Sequence, residues 1–210
     1  MARVAIVAVP LLVAVVLHEV AHGAVAYACG DPTAARAGRL TLNPIAHIDL
    51  VGSILVPGLL VLFASPFVFG WAKPVPTDPR WFRRPRMDGL LVAIAGPGTN
   101  LTLAALSAVA LGALAAAQPT VTTVFLRSVA AQSVVINCVL AVFNLLPIPP
   151  LDGGRVLAAV LPPWGVQALA QLERFGFIIV LLLMMNTNIL QRLVRPVLAW
   201  YQALAQQVAG

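Results

Sequence analysis

The sequence predicts an all-α polytopic membrane protein, a bundle of about four to six transmembrane helices with a re-entrant or extended segment between its first and third apolar runs. Two observations carry this expectation. Hydrophobic residues make up 60% of the 210 positions and charged residues 10%, with a mean hydropathy of +0.95. Soluble chains carry about 25% charged residues, so this one lacks the charge to cover a water-facing surface. In addition, apolar runs long enough to cross a bilayer recur along the chain, with Gly, Pro and Arg gathered between them.

Taken in order, the first run extends from Val4 to Cys29, and its ionisable side chains are His18, Glu19 and His22. It is too long for a signal peptide and has no convincing cleavage site, so it is read as a retained helix. Gly30-Asp31-Pro32 ends it, and a polar connection over 31–50 holds Arg36, Arg39, Asn43-Pro44 and His47. The second run, Val51 to Phe69, is interrupted by Gly52, Pro57, Gly58 and Pro66. Hydropathy leaves two forms open for it, a kinked span and a re-entrant hairpin. Gly70-Trp71-Ala72-Lys73-Pro74-Val75-Pro76 is too rich in Pro for a helix and is expected to be extended or looped. Arg80, Arg83, Arg84 and Arg86 follow, with Trp71 and Trp81 as interfacial anchors.

Met87 to Ala117 reads as a long helix opened by Asp88 and carrying Ala95-Gly96-Pro97-Gly98-Thr99-Asn100. Its small residues let a neighbouring helix approach, and Asn100 can hydrogen-bond across that contact. After the uncharged Gln118-Pro119-Thr120, Val124 to Leu146 forms another span containing Asn137 and Asn144. Leu157 to Trp164 is expected to be a short helix and turn, and a further span runs from about Val166 through Phe175 to Met185, with Glu173 near its start. Ile189 to Gln206 is a final helix. Cys29 and Cys138 lie in or beside apolar runs and read as small core residues, not a disulfide framework. The chain is expected to form one domain over residues 1–210. Its net charge of +6 sits between apolar runs, which suits anionic lipid headgroups and gives no ground for nucleic-acid binding.

The chemistry concentrates in Leu17-His18-Glu19-Val20-Ala21-His22-Gly23. On a helix His18 and His22 share a face one turn apart, so both imidazoles reach one metal ion, with Glu19 beside it and free to act as a base. In a soluble helix such a pattern is often a solvated face. Inside an apolar run ionisable groups are costly, and the chain has three His and two Glu in all. Zinc held by two His needs a third protein ligand and an open fourth position. Glu173 sits beside Arg174, and Asp31, Asp49, Asp78 and Asp88 suit turns or helix caps. Asp152 follows an apolar span directly, with prolines before it and Gly153-Gly154 after it, and can point back into the protein. The alternatives are that Asp152 caps a helix beginning near Arg155, and that His47 supplies the third ligand.

His18-Glu19-Val20-Ala21-His22, together with Asn144 to Pro147 and Leu151-Asp152-Gly153-Gly154-Arg155, resembles the site-2 protease family of intramembrane zinc metalloproteases. Ala95-Gly96-Pro97 with Asn100, and Asn43-Pro44 with His47, also resemble stretches of its short bacterial and archaeal members. The resemblance implies that His18, His22 and Asp152 bind one zinc ion per chain and that Glu19 is the catalytic base. Asn144 matches a family position that helps to hold the substrate backbone or the oxyanion. The implied substrate is a transmembrane segment of another protein, cut within the lipid bilayer of a prokaryotic cell membrane. At 210 residues the chain is too short for the inserted peptide-binding module of many relatives.

A rival of another class is a non-hydrolytic membrane scaffold or metal-ion carrier using the same ligands. A carrier should line a path with further carboxylates, and a scaffold has no need of Glu19. Requiring His18, His22 and Asp152 to share one depth also bears on Val51 to Phe69. The first run and Val124 to Leu146 must then point the same way, which favours a re-entrant second run with both its flanks on one side of the membrane.

Overall fold

The computed structural model describes residues 2–63, 70–185 and 187–209, so 64–69 of the second apolar run lie outside the described residues. Helix α1 (Ala2–Ala28) ends in a Schellman turn: Gly30 takes φ +107°, its N–H donates to Tyr27 O, and Asp31 N–H donates to Ala26 O. A short helix α2 (Thr33–Arg36) and a 3₁₀ turn at Pro44–His47 follow. Next come a π-helical stretch, Leu50–Leu55, and helix α3 (Val56–Leu62). Asp49 caps this segment by accepting from Val51 N and Gly52 N.

The remaining elements are α4 (Pro85–Ala115), α5 (Val121–Asn144), α6 (Asp152–Val160), α7 (Pro163–Glu173), α8 (Gly176–Met185) and α9 (Thr187–Ala209). Among the described residues no strand occurs, and three helices are long and apolar enough to cross a membrane: α1, α4 and α5. Pro85 opens α4 with its missing N–H at a position that needs none, and Asp88 accepts from Arg84 N–H at 2.8 Å. Thr120 and Thr123 form a reciprocal cap on α5. At the far end of α4, Arg127 closes the helix by donating to the carbonyls of Leu114, Ala115 and Ala117.

Side-chain pairings fix the helix directions. His22 meets Val92, while His18 and Ala14 meet Asn100, so α1 and α4 are antiparallel. Asn100 meets Asn137, Ser107 meets Ser133, and Arg127 meets Leu114, so α4 and α5 are antiparallel too. Hence α1 and α5 point the same way. Helix α9 packs along α4 and α5 through Ala104, Ala108, Val134, Cys138, Val194, Tyr201 and Ala205, and Tyr201 donates to Leu101 O. Small residues on α4 permit these contacts: a Cβ on Gly112 would strike the α9 backbone at Ala205.

Hydrogen bonds join residues 47–53 to residues 71–73, on either side of the second apolar helix. Trp71 N–H donates to Gly52 O at 3.1 Å, Ser53 Oγ donates to Trp71 O at 2.9 Å, and Lys73 N–H donates to His47 O at 2.9 Å. The two flanks therefore meet at the C-terminal end of α1. The helical part, 50–62, is about 20 Å long at 1.5 Å per residue, against a hydrocarbon core of about 30 Å. Of the two forms open for this run, these bonds between its flanks favour the re-entrant one.

One sequence-based expectation and one alternative reading are corrected here. A continuous helix from Val166 to Met185 does not form, because α7 stops at Glu173 and α8 restarts at Gly176. At that restart the backbone packs on Pro149 so closely that a Cβ on Gly176 would collide with the Pro149 carbonyl. Glu173 accordingly ends a helix and does not begin one. Nor does Asp152 cap a helix starting near Arg155: α6 begins at Asp152 itself, with Leu151 as its cap residue and no side-chain cap bond.

Candidate metal centre

Three side chains from two separate stretches converge. His18 and His22 lie on one face of α1, and Asp152 reaches them from the first residue of α6. His18 Nε2 and His22 Nε2 are 3.0 Å apart, and Asp152 Oδ2 is 3.2 Å from each. All three residues are buried. The turn from Leu145 to Leu151 brings the carboxylate there, and two glycines allow that turn to fold tightly onto α6. A Cβ on Gly153 would collide with the carbonyls of Leu145 and Leu146, and one on Gly154 would lie 2.7 Å from Pro149 N.

The protons are assigned by the partners of each ring. His18 Nδ1–H donates to Asn100 Oδ1 at 2.6 Å, and His22 Nδ1–H donates to Val92 O at 2.7 Å. Both neutral rings thus turn a bare Nε2 lone pair toward the centre, where Asp152 Oδ2 is buried without a hydrogen-bond donor. Three acceptors facing one another repel unless a cation lies among them. Ligand atoms about 2.0–2.2 Å from a tetrahedral zinc stand about 3.3 Å from each other, close to the separations seen here. The residues present fit zinc in number, chemistry and spacing.

Helix α4 roofs the site. A Cβ on Gly96 would lie 2.6 Å from His18 Nε2 and Cε1, and would collide with His22 Nε2. Glu19 stands beside the triangle and outside it, its Oε2 accepting from Val75 N–H at 2.9 Å. Pro74 and Pro76 have no N–H, so Val75 is the single donor in that tripeptide. The 70–76 segment, expected to be extended or looped, carries no helix, and Arg39 Nη2 fastens it by donating to Lys73 O at 2.7 Å.

A cavity of about 400 Å³ opens beside His18 and Glu19, walled by Trp71, Pro74, Phe143 and Asn144. Asn144 lines it while donating from Nδ2 to Leu140 O at 3.0 Å. His47, the competing third ligand, is not part of the cluster. Its ring is buried in the connection after α1, with Nε2–H donating to Thr41 O at 2.8 Å. Glu173 and the other aspartates are also elsewhere. Asp31 is buried and ties Thr33 and Asp78 N–H together, and Asp78 pairs with Arg80. Among the described residues, no second group of three His, Cys, Asp or Glu side chains could hold a metal ion.

Sequence reasoning missed three participants: Val75, whose contribution is a backbone amide; Gly96, whose contribution is empty space; and the pairing of Asn100 with His18. The sequence showed that Asn100 could bond across a helix contact but not which partner it would take.

The family model described as "Peptidase family M50" matches residues 6–186. The Bacillus subtilis protein named "Putative zinc metalloprotease YwhC" is 44% identical over 179 residues, covering 83% of this chain and 78% of that one. The Mycolicibacterium smegmatis protein named "Putative zinc metalloprotease Rip2" is 32% identical over 190 residues, covering 90% and 70%. No solved structure matches the chain at a significant level. A match over most of the chain, joined to a buried His-His-Asp triangle beside a glutamate, leads to one conclusion: the chain belongs to peptidase family M50, the site-2 protease family of membrane-embedded zinc metalloproteases.

Proposed function

We propose that this zinc metalloprotease cuts transmembrane segments of other membrane proteins within or beside the bilayer, using His18, His22 and Asp152 as zinc ligands and Glu19 as the base. The observation that carries the reading is the triangle of buried acceptor atoms, each about 3 Å from the next, with a carboxylate beside it that is not a member. Bound there, zinc would supply a Lewis acid that polarises the scissile carbonyl and acidifies water. The Val75 amide occupies Glu19 Oε2 and leaves Oε1 to take the proton of the attacking water and pass it to the leaving amine. Asn144, on the cavity wall, is suited to hold the substrate backbone or the developing oxyanion.

A helical substrate hides its carbonyls in its own hydrogen bonds, so it must extend before attack. The extended 70–76 segment forms one side of the cavity and is the surface along which such a stretch would lie. Residues 1–210 act in this scheme as one domain, since the ligands come from both ends of the matched region. Against the carrier reading, the described residues offer no second ligand cluster along a path. The test compares membrane-protein termini in cells carrying the active chain and its Glu19→Gln variant. New termini inside transmembrane segments should occur with the active chain alone. Identical termini in both would refute the proposal.

A further inference from the structure

Asn100 on α4 and Asn137 on α5 are among the most buried side chains of the protein, at 0% and 1% exposure, and both lie in helices long enough to span the bilayer. Polar groups there are stable only when their hydrogen bonds are complete, and these form a directed chain. Asn137 Nδ2 donates to Ser133 O at 2.9 Å and to Ser133 Oγ at 3.2 Å, which turns Asn137 Oδ1 toward α4. Asn100 Nδ2 donates to that Oδ1 at 2.9 Å and to Ala14 O at 3.3 Å. Both Asn100 amide hydrogens are thereby used, and turning the amide over would face its oxygen onto two other acceptors. Asn100 Oδ1 therefore has one orientation, toward His18 Nδ1 at 2.6 Å.

We infer that Asn100 is a positioning residue for the metal centre: its oxygen, held by Asn137 and Ala14, keeps the His18 proton on Nδ1 and presents Nε2 to the metal. The inference rests on the zinc reading above. His22 has its own acceptor, but that is the backbone carbonyl of Val92, which no side-chain change removes. Asn100 is thus the one place where the partner of a ligand imidazole is set by residue type. Partners of this kind raise the basicity of the ligating nitrogen and fix the plane of the ring, and losing one typically costs about 10–100-fold in metal affinity. The chain behind it, from Asn137 through Ser133 to Ser107, links the packing of α4 against α5 to the orientation of a ligand on α1.

The test is zinc affinity, measured by chelator competition on the purified full chain in detergent, with helicity and monodispersity as controls for folding. Asn100→Leu fills the space without an acceptor and should weaken zinc binding by about 10–100-fold. Asn100→Asp keeps an acceptor for His18 Nδ1 and, with its carboxyl protonated, a donor for Asn137, so it should restore most of the affinity. Wild-type affinity in Asn100→Leu overturns the inference, as does an equal loss in both variants, which would assign the effect to packing. Should Asn100→Leu not fold, Asn137→Ala decides, because it frees the Asn100 amide to turn while keeping its oxygen. A several-fold loss is then expected, and unchanged affinity refutes the idea. Failure of the wild-type chain to bind zinc at all, or full binding by His18→Ala, would instead overturn the metal-centre reading.

Discussion

Gly96 offers the sharpest test of how the zinc site is built. Adding one methyl group there places a carbon 2.6 Å from His18 Nε2 and Cε1, where ordinary contact is about 3.5–4.0 Å. Either α4 or the imidazoles must yield by about 1 Å. Yielding by α4 is overpacking, which typically costs about 1–3 kcal/mol and leaves a folded protein. Yielding by the imidazoles breaks the geometry, since zinc sites tolerate about 0.2 Å in ligand distance. Gly96→Ala should thus fold, lose most of its zinc, and lose cleavage by about 100-fold or more. Gly98, two residues along the same helix, is the control: a Cβ there meets nothing within 4 Å. Gly98→Ala should keep zinc and activity, with a gain in helix stability of up to about 1 kcal/mol. The assay is zinc content by elemental analysis of both purified variants, with cleavage of a transmembrane reporter alongside. Full zinc and normal cleavage in Gly96→Ala would refute the placement of α4 against the ligands.

Other outcomes follow from the same geometry. His18→Ala, His22→Ala and Asp152→Ala should each lose most of the one zinc expected per chain, seen in the same elemental analysis. Glu19→Gln should keep its zinc yet lose about 10²–10⁴-fold in cleavage rate, because the proposed mechanism uses the carboxylate as a base and not as a ligand. In a background lacking Cys29 and Cys138, cysteines placed at Thr41 and Thr77 should react with an impermeant thiol reagent from the same side of the membrane, and one at Gln118 from the other. Opposite-side labelling of Thr41 and Thr77 would show that the run between them crosses the membrane. Arg127→Ala strips the last carbonyls of α4 of their donor and should destabilise the protein by about 1–3 kcal/mol without altering zinc content, read from denaturation in detergent.

Most of the chemistry was legible in the sequence, because it is written in local spacing. A helix places residues four apart on one face whatever surrounds it, so His18-Glu19-Val20-Ala21-His22 offers two candidate ligands and a neighbouring carboxylate without a fold. The scarcity of ionisable residues made Asp152 the leading candidate for the third ligand, and the glycines after it signalled close approach. The membrane class followed from composition alone.

What tertiary structure decided was everything that depends on contacts distant in sequence. Whether Val51 to Phe69 crosses or returns was open to hydropathy, and what bears on it is distant in sequence: hydrogen bonds from Trp71 and Lys73 back to Gly52 and His47. That Gly176 must sit against Pro149 breaks a run that reads as one helix. The partner of His18 is 82 residues away on another helix, and the amide that orients Glu19 is 56 residues away on an extended segment. An isolated Asn or a backbone N–H carries no mark of its partner. Local periodicity fixes which side chains share a face, whereas the atom each one meets is chosen only when the helices pack.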